Sequence, residues 1–147
     1  MAKEILRDVT LKVDGVDLSN HCQQVGVPIT TDVQDVTGMK AKGKEKLLGT
    51  PDGQVTATLF QDFDDASVDA VLSPLVGQNT PFSVVVIPKN GVVSKNNPAY
   101  VIREAILPNY NPVSGSQGAP STTDVTFENS GANGVERIIK PEELEGL

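Results

Sequence analysis

Between Gln54 and Pro88 the apolar residues change their spacing twice, and few architectures accommodate both changes in so short a stretch. From Gln54 to Phe60, Val55, Ala57 and Leu59 fall on alternate positions. That puts them on one face of an extended chain and predicts a half-buried strand. Among the acids Asp62, Asp64, Asp65 and Asp69 the period lengthens. Val68, Val71, Leu72 and Leu75 then form the stripe of a short amphipathic helix over about residues 65–76. Asp64 or Asp65 is placed to cap its first turn, where unpaired N–H groups and the positive dipole end favour a carboxylate. Pro74 restricts the last turn and Gly77 supplies a stop. Residues 81–87 return as a second strand, nearly continuous in apolar character. No other stretch reads convincingly as a helix.

The remaining segments read as strands and turns. Val9, Leu11 and Val13 alternate, Asp14-Gly15 marks a turn, and Val16-Asp17-Leu18 returns, which predicts a hairpin. Val25, Val27 and Ile29 continue the alternation toward Val33, and Lys89-Asn90-Gly91 signals another hairpin. Strands are further expected over residues 99–107 and 122–127, with a short edge strand over 135–139. The segment 108–120, rich in Pro, Gly, Ser and Asn around Tyr110, is long enough for either an ordered contact loop or a mobile one. Valine outnumbers leucine 20 to 11, and aromatics are only 4%. Branched side chains suit a pleated surface, so the chain is expected to be mainly β. At 147 residues it is most simply a single domain, 1–147, with a loosely held acidic tail over 140–147 (Glu142, Glu143, Glu145).

Charge and donor content narrow the function. The net charge is −7, which disfavours broad binding to phosphate, where affinity comes from Lys and Arg displacing counterions. The single cysteine, Cys22, excludes an intrachain disulfide. Its neighbour His21 invites a nucleophilic pair, but such a pair needs spatial apposition and a third orienting group. An incidental buried thiol is the commoner case, and two donors do not close a metal site. Asp62-x-Asp64-Asp65 lacks the turn glycine and closing glutamate of a calcium loop. With no Trp and two Tyr there is little to stack a sugar, and no phosphate loop is present. The opening residues, Met1 to Leu6, lack a signal-peptide core. The longest apolar run, Val84 to Ile87, is too short to cross a bilayer. A chain made in a cytoplasm, with no membrane, cofactor, metal or catalytic set, is expected to be an assembly component rather than an enzyme.

One basic stretch stands out against that acidity. Lys40, Lys42, Lys44 and Lys46 occupy every second position, so an extended chain would project their charges from one side. The plain reading is a solvated hairpin arm. The sharper reading is a contact arm over residues 37–48 that docks on an acidic surface of a neighbouring subunit, with Asp62, Asp64, Asp65 and Asp69 as its complement. Nucleic-acid binding ranks third, since no aromatic is interleaved to stack on bases.

In its order of parts the chain resembles the major tail (tube) protein of long, non-contractile bacteriophage tails, a family related to the tube proteins of contractile tails and type VI secretion. The likeness rests on several segments: the hairpin from Val9 to Leu18, Asp35-Val36-Thr37-Gly38 entering the arm, and Gly49 to Phe63 running into the single helix. Asn96-Asn97-Pro98-Ala99-Tyr100 and Val125 to Gly131 complete it. The resemblance implies a β-sandwich or barrel of two packed sheets with one flanking helix. It implies six copies closing into a ring by joining sheets, and rings stacking into a tube with the arm reaching the adjacent ring. Such a tube surrounds a tape-measure protein and then conducts DNA into the host without binding it specifically. It would meet other tail proteins in a virion assembled in the host bacterial cytoplasm. Two other readings stand beside it: a tail terminator or neck component, and a monomeric β-sandwich recognition module with a ligand site on the loop 109–119.

Overall fold

A computed structural model describes residues 5–144 and residue 147; the readings placed on Met1 to Glu4 and on Glu145 lie outside them. The chain is mainly β, with nine strands and one α-helix among the described residues. In chain order these are β1 (Thr10–Val13), β2 (Val16–Asp17), β3 (Cys22–Gly26), β4 (Ile29–Asp35), β5 (Lys46–Phe60), α1 (Val68–Leu72), β6 (Phe82–Ile87), β7 (Ala99–Ile106), β8 (Thr122–Asn129) and β9 (Val135–Ile138). All pair antiparallel in the order β2-β1-β6-β7-β8-β5-β3, with β4 added to β5 and β9 to β7. The two expected layers are thus joined by hydrogen bonds into one sheet that curls into a half-barrel. None of the described helices is long and apolar enough to cross a membrane.

The alternation in the sequence explains the curl. Val55, Ala57 and Leu59 of β5, Val125 and Phe127 of β8, and Val84 and Val86 of β6 turn one face inward, around a common core. Phe82 and Phe127 meet edge to face there, their ring centroids 5.9 Å apart, a geometry the ring quadrupoles favour. Val68 and Leu72 of α1 close the same core, with Val71 and Leu75 packed beside them, as the apolar stripe requires. The helix is shorter than residues 65–76 and begins later than expected. Its cap position is Ser67, which makes no side-chain cap bond, so Asp64 and Asp65 lie ahead of it and do not cap it. Gly77 does end the unit: it takes φ +74° and donates its N–H to Leu107 O at 3.0 Å.

The continuous apolar character of β6 has a different cause. Its other face, Val85 and Ile87, joins Val93, Ala99, Val101 and Ile138 in a second cluster, so the strand is buried on both sides. Leu144 and Leu147 pack against that cluster, and Pro141–Leu144 forms a turn of 3-10 helix. This corrects the expectation of a loosely held tail for these two leucines: their apolar side chains find a ready patch.

Turns follow local chemistry in one case and depart from it in another. Asp14 and Gly15 both take positive φ, 52° and 81°, the backbone of the tight turn expected between β1 and β2. At Lys89-Asn90-Gly91 no tight hairpin forms. Asn97 closes a wider loop instead, accepting from Lys89 N–H at 3.1 Å and donating to Lys89 O at 3.0 Å. The chain also breaks at Val27-Pro28, so the run from Val25 to Val33 divides between β3 and β4.

Thr123 is buried at 2% exposure, and among the described residues its hydroxyl has no hydrogen-bond partner. A buried, unmatched hydroxyl costs free energy that a methyl of the same shape does not. Thr123→Val is therefore expected to stabilise the fold by about 1–2 kcal/mol, read as a higher urea midpoint at unchanged slope.

Candidate assembly surfaces

The longest strand carries two unlike ends. The second half of β5 is clamped between β3 and β8 in the body of the sheet. Its first half leaves that body and pairs only with β4, from Ile29 opposite Gly53 to Asp35 opposite Lys46. Gly53 marks the departure: a Cβ there would lie 2.2 Å from Val135 Cγ2, so only glycine lets β9 approach so closely. Beyond it every residue of β4 and of the first half of β5 is exposed. The arm is thus longer than residues 37–48, because its base reaches back to Ile29.

The tip is closed by local bonds. Asp35 Oδ1 accepts from the Thr37 N–H at 3.0 Å and from its hydroxyl at 2.5 Å. Thr37 Oγ1 in turn accepts from Glu45 N–H at 2.8 Å, and Val36 N–H reaches Glu45 O at 2.9 Å. The Thr37 hydroxyl, then its N–H, hold the Asp35 carboxyl below the usual carboxylate range. Lys40 and Lys42 sit on the turn and bend of this tip, Lys44 in the coil that follows, and only Lys46 lies in a strand. The single extended row of charges inferred from their spacing does not exist: the backbone turns between them. Sequence reasoning also missed the arm's apolar content. Ile29, Val33, Val36, Met39, Leu47 and Leu48 are all exposed, Met39 fully and Leu48 at 69%. Val33 and Leu48 are cross-strand partners. The signal was visible as apolar residues between lysines, but it reads as a strand face unless the missing core is known.

At the far end of β5 stands the acidic segment. Asp62 is half-buried and fully engaged. Its Oδ1 accepts from Asp64 N–H at 3.0 Å, and its Oδ2 from Ser67 Oγ at 2.7 Å with His21 Nε2 at 3.0 Å. The Asp64 N–H, then the Ser67 hydroxyl, lower its pKa against the effect of burial, and His21 adds less. Asp69 accepts from Tyr110 OH at 2.8 Å, and Gln61 Nε2 donates to that hydroxyl at 2.9 Å and to Pro112 O at 2.7 Å. These bonds tether the start of the segment 108–120 to the helix. Of the four acids, then, two organise the loop, and only Asp64 and Asp65 are exposed, beside Phe60 and Phe63.

His21, Asp62 and Ser67 do not form a relay. Ser67 gives its proton to Asp62, and both Asp62 and Ser67 face the same imidazole nitrogen, whereas a relay uses the two nitrogens for different partners. Cys22 Sγ contacts Gln24 O at 3.5 Å, and burial pushes its thiol pKa up, away from nucleophilic character. Among the described residues no three His, Cys, Asp or Glu side chains gather as a metal site. The Asp62 cluster is structural, and its pH dependence follows. A carboxyl with a lowered folded pKa stabilises above its unfolded value of about 3.9, and the effect is lost as pH falls through the folded value. Asp62→Asn should be less stable than the parent at neutral pH, with the difference shrinking below about pH 4 in paired urea titrations.

No family model matches the sequence, and no curated protein does. Solved structures do match. A chain in the virion of a native gene transfer agent particle superposes with a TM-score of 0.65 at 14% identity, covering 92% of this chain and 98% of that one. A chain in the sheath/tube terminator of an extracellular contractile injection system (PVC, extended state) gives 0.67 at 9%, covering 93% and 97%. The tail of an empty gene transfer agent particle, refined helically with C6 symmetry, gives 0.61 at 14%, covering 88% and 92%. This chain has the tail-tube fold. Almost the whole of each matched chain is covered, and 88–93% of this one.

Proposed function

We propose that the chain is the subunit of a phage-type tail tube. Copies join sheet margins into rings of six, and rings stack into a hollow conduit that encloses a tape-measure protein and later passes DNA. The subunit is structural, not an enzyme, and belongs to a virion tail assembled in the bacterial cytoplasm. The observation that carries this reading is the β4–β5 arm: it keeps six apolar side chains exposed, outside both core clusters. Monomers rarely keep such a surface unless something covers it.

The two ends of β5 also differ in kind. Four lysines and six apolar side chains mark the arm, and Asp64, Asp65, Phe60 and Phe63 mark the opposite end, with a strand about 50 Å long when extended between them. Unlike ends that fit one another give a heterologous contact, which propagates without closing. Docking the arm of one copy on the helix end of the next ring is the corresponding assignment. Among the described strands β2, β3, β4 and β9 each pair on one side only, and β2 and β3, at the ends of the main sheet, are the edges we assign to neighbours within a ring. The likeness to a sheath/tube terminator structure favours a second reading, a protein that stops at one ring. Electron microscopy of concentrated protein separates them: filaments of indefinite length support the tube, and single rings support the terminator.

A further inference from the structure

Two asparagines precede glycine, Asn90 in the loop after β6 and Asn133 in the turn before β9. Glycine has no Cβ, so its nitrogen is open to the amide carbon of an asparagine side chain just before it. The two places differ in what holds them. Asn97 brackets the loop around Asn90, bonding Lys89 N–H and Lys89 O and donating to Val92 O at 3.4 Å. In the turn before β9 the bracket stops at Gly131. Asn129 accepts from Gly131 N–H at 3.1 Å and donates to Gly131 O at 2.9 Å. Asn133 beyond it is exposed. Among the described residues neither its side-chain amide nor the Gly134 N–H has a hydrogen-bond partner. Gly134 takes φ +64°, and a Cβ there would meet nothing within 4 Å. Val135 then opens β9 opposite Ile102 and lies against Gly53, where the arm leaves the sheet.

We infer that Asn133-Gly134 is a site of self-modification, at which the asparagine loses its amide and the backbone at the root of β9 grows by one carbon. The Gly134 nitrogen gives up its proton and attacks Asn133 Cγ. The bond from Cγ to the side-chain nitrogen breaks, and that nitrogen leaves as ammonia with the proton. Water then opens the resulting five-membered imide at one of its two carbonyls. Opening at the backbone carbonyl leaves an isoaspartyl link, in which the chain runs through Cβ and Cγ; opening at the other leaves aspartate. Either product replaces a neutral amide by a carboxylate, one negative charge per copy. Only the isoaspartyl link lengthens the chain, and it does so two residues before Val135. Asn97 and Asn129 are spared, because bonds to both amide atoms keep the side chain from swinging onto the following nitrogen. The inference does not depend on the tube reading.

The test is to age the full chain at mildly alkaline pH and follow each asparagine by peptide mass spectrometry, with an isoaspartyl-specific methyltransferase to identify the lengthened product. Asn133 should convert at least an order of magnitude faster than Asn129, and faster than Asn90. In urea the gap between Asn133 and Asn90 should close, since the fold creates it. Asn133→Gln should abolish the product at that position. Conversion at Asn133 no faster than at Asn129, or equal rates at Asn90 and Asn133 in the folded chain, would overturn the site. Hydrogen exchange then separates charge from chain length. The isoaspartyl fraction should exchange faster over Val135–Ile138 than the parent, and Asn133→Asp, which adds only the charge, should not. Unchanged exchange in the isoaspartyl fraction would overturn the effect on β9.

Discussion

Changing Lys40, Lys42, Lys44 and Lys46 together to glutamate should give a folded subunit that no longer grows into long tubes. The four lysines are exposed, so their charges contribute little to folding; substitutions at such exposed sites usually stay within about 0.5 kcal/mol. Assembly is another matter. A single exposed ion pair is worth only about 0.2–1 kcal/mol, but every copy in every ring repeats it. In the proposed contact, reversal also replaces attraction toward Asp64 and Asp65 by repulsion. Added salt should restore part of the growth, because exposed charges are screened beyond about 10 Å at 0.1 M. Aspartate at Leu47 and Leu48 should block growth as well, and salt should not rescue it, since that pair supplies apolar area. Electron microscopy alongside urea unfolding of the monomer reads both variants. Normal tubes from the glutamate variant would discard the arm assignment.

The largest effect on the fold is expected at Phe127. Its ring is fully buried, faces Phe82 edge to face, and sits where β5, β6 and β8 converge on the core. Truncation to alanine removes that burial and leaves a cavity that surrounding strands cannot collapse around. Phe→Ala changes at such sites cost about 3–5 kcal/mol. Against a total of about 5–15 kcal/mol for an ordinary domain, the variant should unfold at a much lower urea concentration. The contrast is Phe60, on the same sheet but 37% exposed; Phe60→Ala should cost less, about 1 kcal/mol. Its effect should appear in assembly, since Phe60 lies beside the acidic end.

Much of this architecture is legible in the sequence because burial imposes a period. Val55-Ala57-Leu59, the stripe Val68-Val71-Leu72-Leu75 and the alternation in β1 and β8 each sit where their spacing places them. The exceptions share a cause: the deciding contact is distant in the chain. Asp64 and Asp65 look like caps, yet Asp62 organises the loop through Ser67 and His21, the latter 41 residues away. Lys89-Asn90-Gly91 looks like a hairpin until Asn97 bonds back to it. Leu144 and Leu147 give no periodic signal, and only the patch formed by β6, β7 and β9 explains them. The arm is the instructive case. Lysine spacing locates it, but the backbone bends at its tip, and its exposed apolar side chains are evident only once the core is known to lie elsewhere.

Self-association is the property on which the rest depends. The direct measurement is negative-stain electron microscopy of the unaltered chain across rising concentration, with sedimentation on the same samples. The expected result is tubes of unlimited length with a sixfold, open-centred cross-section. A species that stays monomeric at the highest attainable concentration, with no rings on the grid, would contradict it.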